Sequence, residues 1–324
     1  MYKDPISYRD SGFIIGVGHS DESTLREFVK KESGLEITCL ERILNQDWKK
    51  PFDHLYLWLS FDLKKEDILC LHGWLDYTAC GNCILSVDEF IKKYKKCKAM
   101  KDVVIIKHIP HASLDFPEEF PDGAMILKSK NKYNLKMTDI GIDYLFKDIK
   151  GIEIKAPYSR LFCDVEKFKD DSKEEMAKLG QGYIYKKTYD GETIARFGKV
   201  NKFDVTKYIN NYYDDYHKKF DQIVENIIKG GKKALILDLH SYSDELALAN
   251  GNSAPFPDIC IGVNDEYCNK DILELVISEI EEKGLTYQIN YPYKGSILPN
   301  GLLNKKYDGD VTSIMLEVNK RIYL

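Results

Sequence analysis

Short apolar runs alternate with helical patterns from about residue 101 to the end of the chain. The clearest run, 234–237, follows two glycines and ends in polar residues, which predicts a strand buried on both faces. Before it, apolar residues recur at helical spacing across 205–229 and predict a long helix. Strands that alternate with helices predict an α/β fold, in which a mixed, largely parallel sheet lies between helices.

Residues 1–100 have a different pattern and predict a separate α+β region. Strand patterns cover 11–20 and 54–63, an amphipathic helix pattern covers 22–33, and 87–101 is typical of a basic, solvated helix end. The region also contains Cys80 and Cys83 in a CxxC spacing, which can hold zinc or do redox chemistry. A structural zinc site usually needs a second close pair, so ordinary thiols are the favoured interpretation. The role of this region is not predicted.

Two histidines lie at or just past predicted strands. His240 follows the run at 234–237, and His111 follows a strand that breaks at Pro110. Open α/β sheets bind ligands at the carboxyl ends of their strands, and imidazole is a common zinc ligand. A single histidine at such a place is more often a hydrogen-bonded core residue. His108 precedes the proline, and a structural role is equally open for it.

A predicted helix over 138–149 carries two candidate carboxylates. Thr138 or Asp139 can cap the helix at its start. Asp139 and Asp143 are four residues apart, which puts both carboxylates on one side of a helix. The plain alternative is a capping residue and a solvated acid.

The last predicted strand has a polar face. In the segment 311–324, Glu317, Asn319 and Arg321 alternate with apolar residues and share one face. Buried hydrogen-bonding groups are costly unless they are paired or functional. A further segment, 156–168, predicts a short apolar strand and carries Arg160 and Asp164.

Together these residues match the needs of a metal-dependent hydrolase. Two histidines, one carboxylate and an open water position make a common catalytic zinc site. A separate glutamate can then activate water, and an arginine can hold a substrate carboxylate through two parallel hydrogen bonds.

Composition and charge indicate the class of protein and the kinds of partner that this chemistry would involve. The 324 residues are 44% hydrophobic and 31% charged, with a net charge of −5; this is typical of a soluble globular protein and argues against nucleic acid as a partner. No apolar run approaches the roughly 20 residues that span a bilayer, and the N-terminus lacks the apolar core of a signal peptide. We therefore expect a cytoplasmic protein without a membrane partner, whose cysteines are reduced or bound to metal.

Eight short blocks of the sequence resemble, in order, those of the N-formylglutamate amidohydrolase family. The blocks are PHAS (110–113), MTDIGIDYLF (137–146), YSRLFCDVEKFKDD (158–171), GQGYIYKKTYDGE (180–192), DLHSYS (238–243), PDICIG (257–262), YPYKGSILP (291–299) and SIMLEVNKRIY (313–323). The resemblance covers about 101–324 and implies a fold similar to zinc carboxypeptidases. It also implies Zn²⁺ as cofactor and hydrolysis of an N-acyl amide of an acidic amino acid.

The resemblance also implies roles for single residues. His111 and His240 match the family's histidines. Asp139 matches the aspartate of the helix block and is the preferred third ligand, with Asp143 and the more distant Asp115 as alternatives. Glu317, which matches the glutamate of the last strand, is by analogy the general base.

Other matched positions concern the substrate. Arg160 is a candidate for binding the substrate carboxylate or the oxyanion, and Asn319 and Arg321 match polar residues that follow the glutamate. Many members have Asn-Arg where this chain has Glu166 and Lys167. Lys167 keeps the positive charge but lacks the guanidinium fork, which weakens the case for formylglutamate itself.

Two other functions are compatible with these residues. One is a carboxypeptidase-like metallopeptidase that acts on a short or modified peptide. The other is a non-catalytic, metal-binding regulatory module. The expected partner is a small-molecule N-acyl amino acid or a short peptide, and the sequence predicts neither the natural acyl group nor the oligomeric state.

Overall fold

The computed structural model describes residues 12–17, 22–42, 55–61, 84–301 and 309–324. The chain divides into two compact units, Met1–Lys101 and Asp102–Leu324. Among the described residues, no helix is long and apolar enough to cross a membrane.

The first unit contains a four-stranded sheet in its described part. Its elements are β1 (Gly12–Val17), α1 (Glu22–Ser33), β2 (Ile37–Arg42), β3 (Leu55–Phe61), β4 (Ile84–Ser86) and α2 (Val87–Ala99). The strand order is β2-β3-β1-β4, and the predicted helices and strands are found. Cys80 and Cys83 lie outside the described residues. Cys97 is disulfide-bonded, which differs from the expectation of reduced cysteines.

The second unit contains ten strands and five α-helices in its described part. The strands are β5 (Val103–Ile109), β6 (Met125–Ile126), β7 (Ile152–Lys155), β8 (Ala195–Arg196), β9 (Lys199–Val200), β10 (Phe203–Asp204), β11 (Lys233–Tyr242), β12 (Ile259–Val263), β13 (Tyr287–Ile289) and β14 (Val311–Asn319). The helices are α3 (Lys130–Lys136), α4 (Ile142–Leu145), α5 (Val205–Lys229), α6 (Asp244–Ala249) and α7 (Lys270–Glu282), and three 3₁₀ helices cover Glu175–Leu179, Asp265–Tyr267 and Lys320–Ile322.

A six-stranded mixed sheet forms the centre of the second unit. Its strand order is β13-β12-β14-β11-β5-β7. The four strands β14, β11, β5 and β7 are parallel, whereas β12 pairs antiparallel with β14. The prediction of an α/β fold with a mixed, largely parallel sheet is therefore confirmed.

Strand β11 is buried along nearly its whole length, as the apolar run predicted. Every residue from Ala234 to Tyr242 is buried. Helix α5 has the predicted bounds and packs apolar residues such as Phe220 and Val224 into a core cluster that also contains Ile236. Burial of this kind contributes about 25 cal/mol per Å² of apolar surface, so it holds β11 firmly in the sheet.

Three local predictions differ from the structure. The predicted helix over 138–149 is reduced to the four residues of α4, because Gly141 adopts φ +78° and the helix begins only after it. The segment 156–168 forms turns rather than a strand. Strand β14 ends at Asn319, so Arg321 lies in a 3₁₀ helix and the period-two alternation no longer applies to it.

Candidate active site

The parallel strands bring His111 and His240 together. His111 lies two residues past the end of β5, and His240 lies within β11, two residues before that strand ends. Both side chains are buried. Their Nδ1 atoms are 3.2 Å apart, although the two residues are separated by 129 positions along the chain.

A carboxylate fixes the far edge of each imidazole ring. Nε2 of His111 lies 2.8 Å from an oxygen of Asp164, and Nε2 of His240 lies 2.9 Å from an oxygen of Asp238. An ionised carboxylate only accepts hydrogen bonds, so we assign the ring proton to Nε2 in both histidines. In the neutral form of each ring, which is the form that binds a metal, Nδ1 carries a lone pair, and the two lone pairs converge.

Asp139 completes a group of three potential ligand atoms. Its Oδ2 lies 3.7 Å from Nδ1 of His111 and 3.4 Å from Nδ1 of His240. Its Oδ1 accepts a hydrogen bond from the Ser241 hydroxyl at 3.1 Å, and Oδ2 is buried without a hydrogen-bond partner in the described part of the chain. The free oxygen therefore faces the converging lone pairs.

The spacing of these three atoms fits a tetrahedral zinc site. Zinc–ligand bonds of about 2.0–2.2 Å in a tetrahedron place neighbouring ligand atoms roughly 3.3–3.6 Å apart. The three separations observed are 3.2, 3.4 and 3.7 Å. Two imidazoles and one carboxylate are also a donor set that zinc accepts. His111, Asp139 and His240 therefore fit the metal that the resemblance implied.

The charges around the histidines favour a cation. Burial works to lower the pKa of His240, but the carboxylates of Glu166 and Asp238 raise it well above its ordinary value. Burial and Arg160 likewise oppose protonation of His111, whose pKa is nevertheless raised by carboxylates, mainly that of Asp164. The same excess of negative charge suits a divalent metal ion.

Asp164 is a functional candidate to which the sequence assigned no role. It is fully buried, and besides His111 it accepts hydrogen bonds from Arg160, through Nε at 3.2 Å and Nη2 at 3.0 Å, and from the Tyr185 hydroxyl at 2.8 Å. The sequence signal for this contact was the spacing of four residues between Arg160 and Asp164. That spacing predicts a contact where the segment forms turns, but not in the strand that was predicted there. Asp164 orients one candidate ligand and one candidate substrate-binding residue.

Replacing Asp164 by Asn is expected to weaken zinc binding by roughly 10- to 100-fold, the usual cost of losing a partner that orients a metal ligand. The amide keeps the shape but removes the charge that holds His111 and Arg160. Competition with a chelator of known affinity measures the change. Asp214→Asn is the control, because Asp214 is an exposed residue paired with Lys169. Equal zinc affinities in wild type and Asp164→Asn would remove this role.

His108 has a supporting position rather than a place among the candidate ligands. Its Nδ1 lies 2.7 Å from the Asp238 oxygen that also contacts His240. The ring stacks on Phe220 with centroids 5.0 Å apart. His108 therefore links the site to the core beneath it, which favours the structural interpretation left open by the sequence.

Glu317 faces the same space from the neighbouring strand. It pairs in register with His240 across β11 and β14. Burial raises the pKa of Glu317 to about 7, and its Oε2 is buried without a hydrogen-bond partner among the described residues. A carboxylate with this pKa can both take up and release a proton near neutral pH.

These residues line a cavity of about 930 Å³. His111, Asp139, Arg160, Glu166, Lys167, Tyr185, His240, Tyr293 and Glu317 are among its lining residues. Arg160 still has N–H groups beyond those bound to Asp164, since a guanidinium carries five. A negatively charged group of a ligand could therefore bind in this cavity.

Other predicted residues lie elsewhere. Asp143 forms an ion pair with Lys155, and Asp115 is exposed, so neither joins the histidines. The Asn319 side chain binds Asp244 at 2.7 Å, and Arg321 forms ion pairs with Asp244 and Asp258. Neither Asn319 nor Arg321 is among the described residues that line the cavity. These two residues instead anchor the end of β14.

The geometry is that of a candidate metal-dependent hydrolase site. A model of the N-formylglutamate amidohydrolase family matches residues 103–324, and the chain belongs to that family. This confirms the resemblance on which the amidohydrolase prediction depends, since the family is one of amidohydrolases. No curated protein matches the chain significantly.

Two solved structures are similar to the chain. One is an N-formylglutamate amidohydrolase from Ralstonia eutropha JMP134, with 22% identity, a TM-score of 0.56, and coverage of 68% of this chain and 83% of that chain. The other is the gene product Atu2144 from Agrobacterium tumefaciens, with 16% identity, a TM-score of 0.47, and coverage of 68% and 80%. The first likeness supports the α/β fold.

Proposed function

We propose that this protein is a zinc-dependent amidohydrolase that cleaves the N-acyl amide bond of an amino acid. Family membership makes N-formylglutamate, an amide of an acidic amino acid, the first compound to test. The observation that carries the proposal is the convergence of Nδ1 of His111, Nδ1 of His240 and Oδ2 of Asp139 beside Glu317, whose buried Oε2 has no partner among the described residues.

His111, Asp139 and His240 are the proposed zinc ligands, and Glu317 is the proposed general base. Zinc at this position supplies Lewis-acid polarisation of the amide carbonyl and lowers the pKa of water. Glu317 takes the proton from the attacking water and later gives it to the leaving amine. Its pKa of about 7 suits both transfers.

Arg160 and Lys167 are proposed to orient the substrate. Both side chains line the cavity, and Arg160 is held in place by two hydrogen bonds to Asp164. A fixed guanidinium loses little freedom when a carboxylate binds to its remaining N–H groups. Orientation of the carboxylate aligns the acyl group with Glu317.

A short or modified peptide is the second candidate substrate. The cavity volume of about 930 Å³ lies near the upper end of the range of roughly 300–1,000 Å³ for drug-sized ligands. Such a volume accommodates more than a formylated amino acid. The same zinc, water and general base would cleave a peptide bond.

Metal content and turnover together test the proposal. We expect wild-type protein to hold about one zinc ion per chain and to hydrolyse at least one member of a panel of N-acyl amino acids and dipeptides. A chelator should abolish turnover, and added zinc should restore it. His240→Ala should lose the metal. A folded wild-type protein that binds zinc but hydrolyses no member of the panel would favour the regulatory module.

A further inference from the structure

The carboxylate of Glu166 lies in the cavity wall without a hydrogen-bond partner among the described residues. Its oxygens are 3.4 Å from Nε2 of His240 and 3.6 Å from Nε2 of His111. The protons on those nitrogens are directed to Asp238 and Asp164, as the shorter contacts of 2.9 and 2.8 Å indicate. The oxygens of Glu166 therefore remain free to accept hydrogen bonds from a ligand.

Lys167 only partly compensates for the charge of Glu166. Its Nζ lies 3.8 Å from Oε2 of Glu166, beyond the 2.7–3.2 Å of a hydrogen bond. The Glu166 side chain is 17% exposed, so it has access to the cavity but little bulk solvent. A largely buried carboxylate is stabilised when a ligand brings it a hydrogen-bond donor.

A second substrate carboxylate would be unfavourable at this position. It would approach Glu166, and the carboxylates of Asp164 and Asp238 lie at the same Nε2 edges of the two rings. Like charges at close range repel strongly where water is scarce. A neutral amide of the same size instead offers an N–H group to Glu166, while Arg160 and Lys167 remain available for one substrate carboxylate.

We propose that Glu166 is a specificity-determining residue that selects N-acyl amino acids whose side chain ends in an N–H donor over those whose side chain ends in a carboxylate. The glutamine compound is thus preferred to the glutamate compound. This inference rests on the proposed amidohydrolase function and narrows its substrate class.

A matched pair of ligands isolates this effect. N-formyl-L-glutamine and N-formyl-L-glutamate differ only in the terminal amide and carboxylate of the side chain. Their dissociation constants are measured by calorimetry on zinc-loaded Glu317→Gln protein, which should bind substrate but turn it over far more slowly than wild type. We expect the glutamine compound to bind roughly 10- to 100-fold more tightly, the worth of one hydrogen bond to a charged group.

Adding Glu166→Gln should bring the ratio of the two dissociation constants close to one. Glu166→Asp, which keeps the charge, should retain the preference for the amide. Glu175→Gln is the matched control, because Glu175 is an exposed cavity residue that pairs with Lys294 at 3.6 Å. Glu175→Gln removes the same charge at the rim of the cavity and should leave the ratio of the two dissociation constants unchanged. Melting temperature and zinc content are recorded for each variant.

Several outcomes overturn the inference. In the first, Glu166→Gln leaves the ratio of the two dissociation constants unchanged. In the second, Glu166→Gln weakens the binding of both ligands equally and also lowers the zinc content. In the third, neither ligand binds. Failure of the proposed function has a different signature, in which the binding preference appears as expected but wild-type protein turns over neither compound. If wild-type protein turns over either compound but Glu166→Gln leaves the ratio of dissociation constants unchanged, only the proposed selection by Glu166 is wrong.

Discussion

Glu317→Gln is expected to reduce turnover by roughly 10²- to 10⁴-fold, the usual worth of general acid–base catalysis. The amide keeps the shape of the side chain but cannot take a proton from water. Zinc should remain bound, because the three proposed ligand atoms belong to other residues. Substrate affinity should change little if Glu317 acts only in the transition state.

The stability of the same variant separates catalysis from a structural role. Glu317 is partly buried, and its Oε2 is buried without a partner within the described residues, so loss of its charge should not lower the melting temperature. Metal content, melting temperature and turnover are measured on one preparation. Glu274→Gln, at an exposed position of α7, serves as control. A Glu317→Gln protein with the wild-type rate would refute the proposed mechanism, and one that loses zinc would make Glu317 a ligand.

The sequence predicted those candidate site residues that lie on, or at the ends of, paired strands of the sheet. His111 and His240 follow or end apolar runs, and parallel strands bring their carboxyl ends to one edge. Glu317 was placed by alternation along β14, and the register with β11 puts it opposite His240. These positions depend on strand pairing alone, so apolar patterning was sufficient to predict them.

The sequence did not predict the positions of candidate site residues that lie in turns. Asp164 and Glu166 reach the histidines because residues 156–168 form turns, whereas the apolar pattern predicted a strand there. Arg321 was misplaced because β14 ends at Asn319. Turn geometry depends on side-chain contacts such as those that Asp164 makes with Arg160 and Tyr185, and these contacts have no period in the sequence.

The choice between Asp139 and Asp143 as the carboxylate ligand has the clearest expected result. Asp139→Ala should lose zinc, and the fall in affinity should exceed the roughly 10- to 100-fold cost of removing a supporting partner. Asp143→Ala should retain zinc, because its carboxylate pairs with Lys155 away from the histidines. The two substitutions remove the same group from neighbouring positions, so each controls for the other.

Elemental analysis and a thermal shift with added zinc measure both variants. A ligand that binds only the folded state stabilises it by about 4 kcal/mol at a thousandfold excess over Kd. Zinc should therefore raise the melting temperature of wild type and Asp143→Ala but not of Asp139→Ala. Full zinc content in Asp139→Ala would require another carboxylate to reach the two histidines. Glu166 is the nearest such candidate by its contacts of 3.4 and 3.6 Å with their Nε2 atoms, and that result would move the metal to the opposite edge of the two rings.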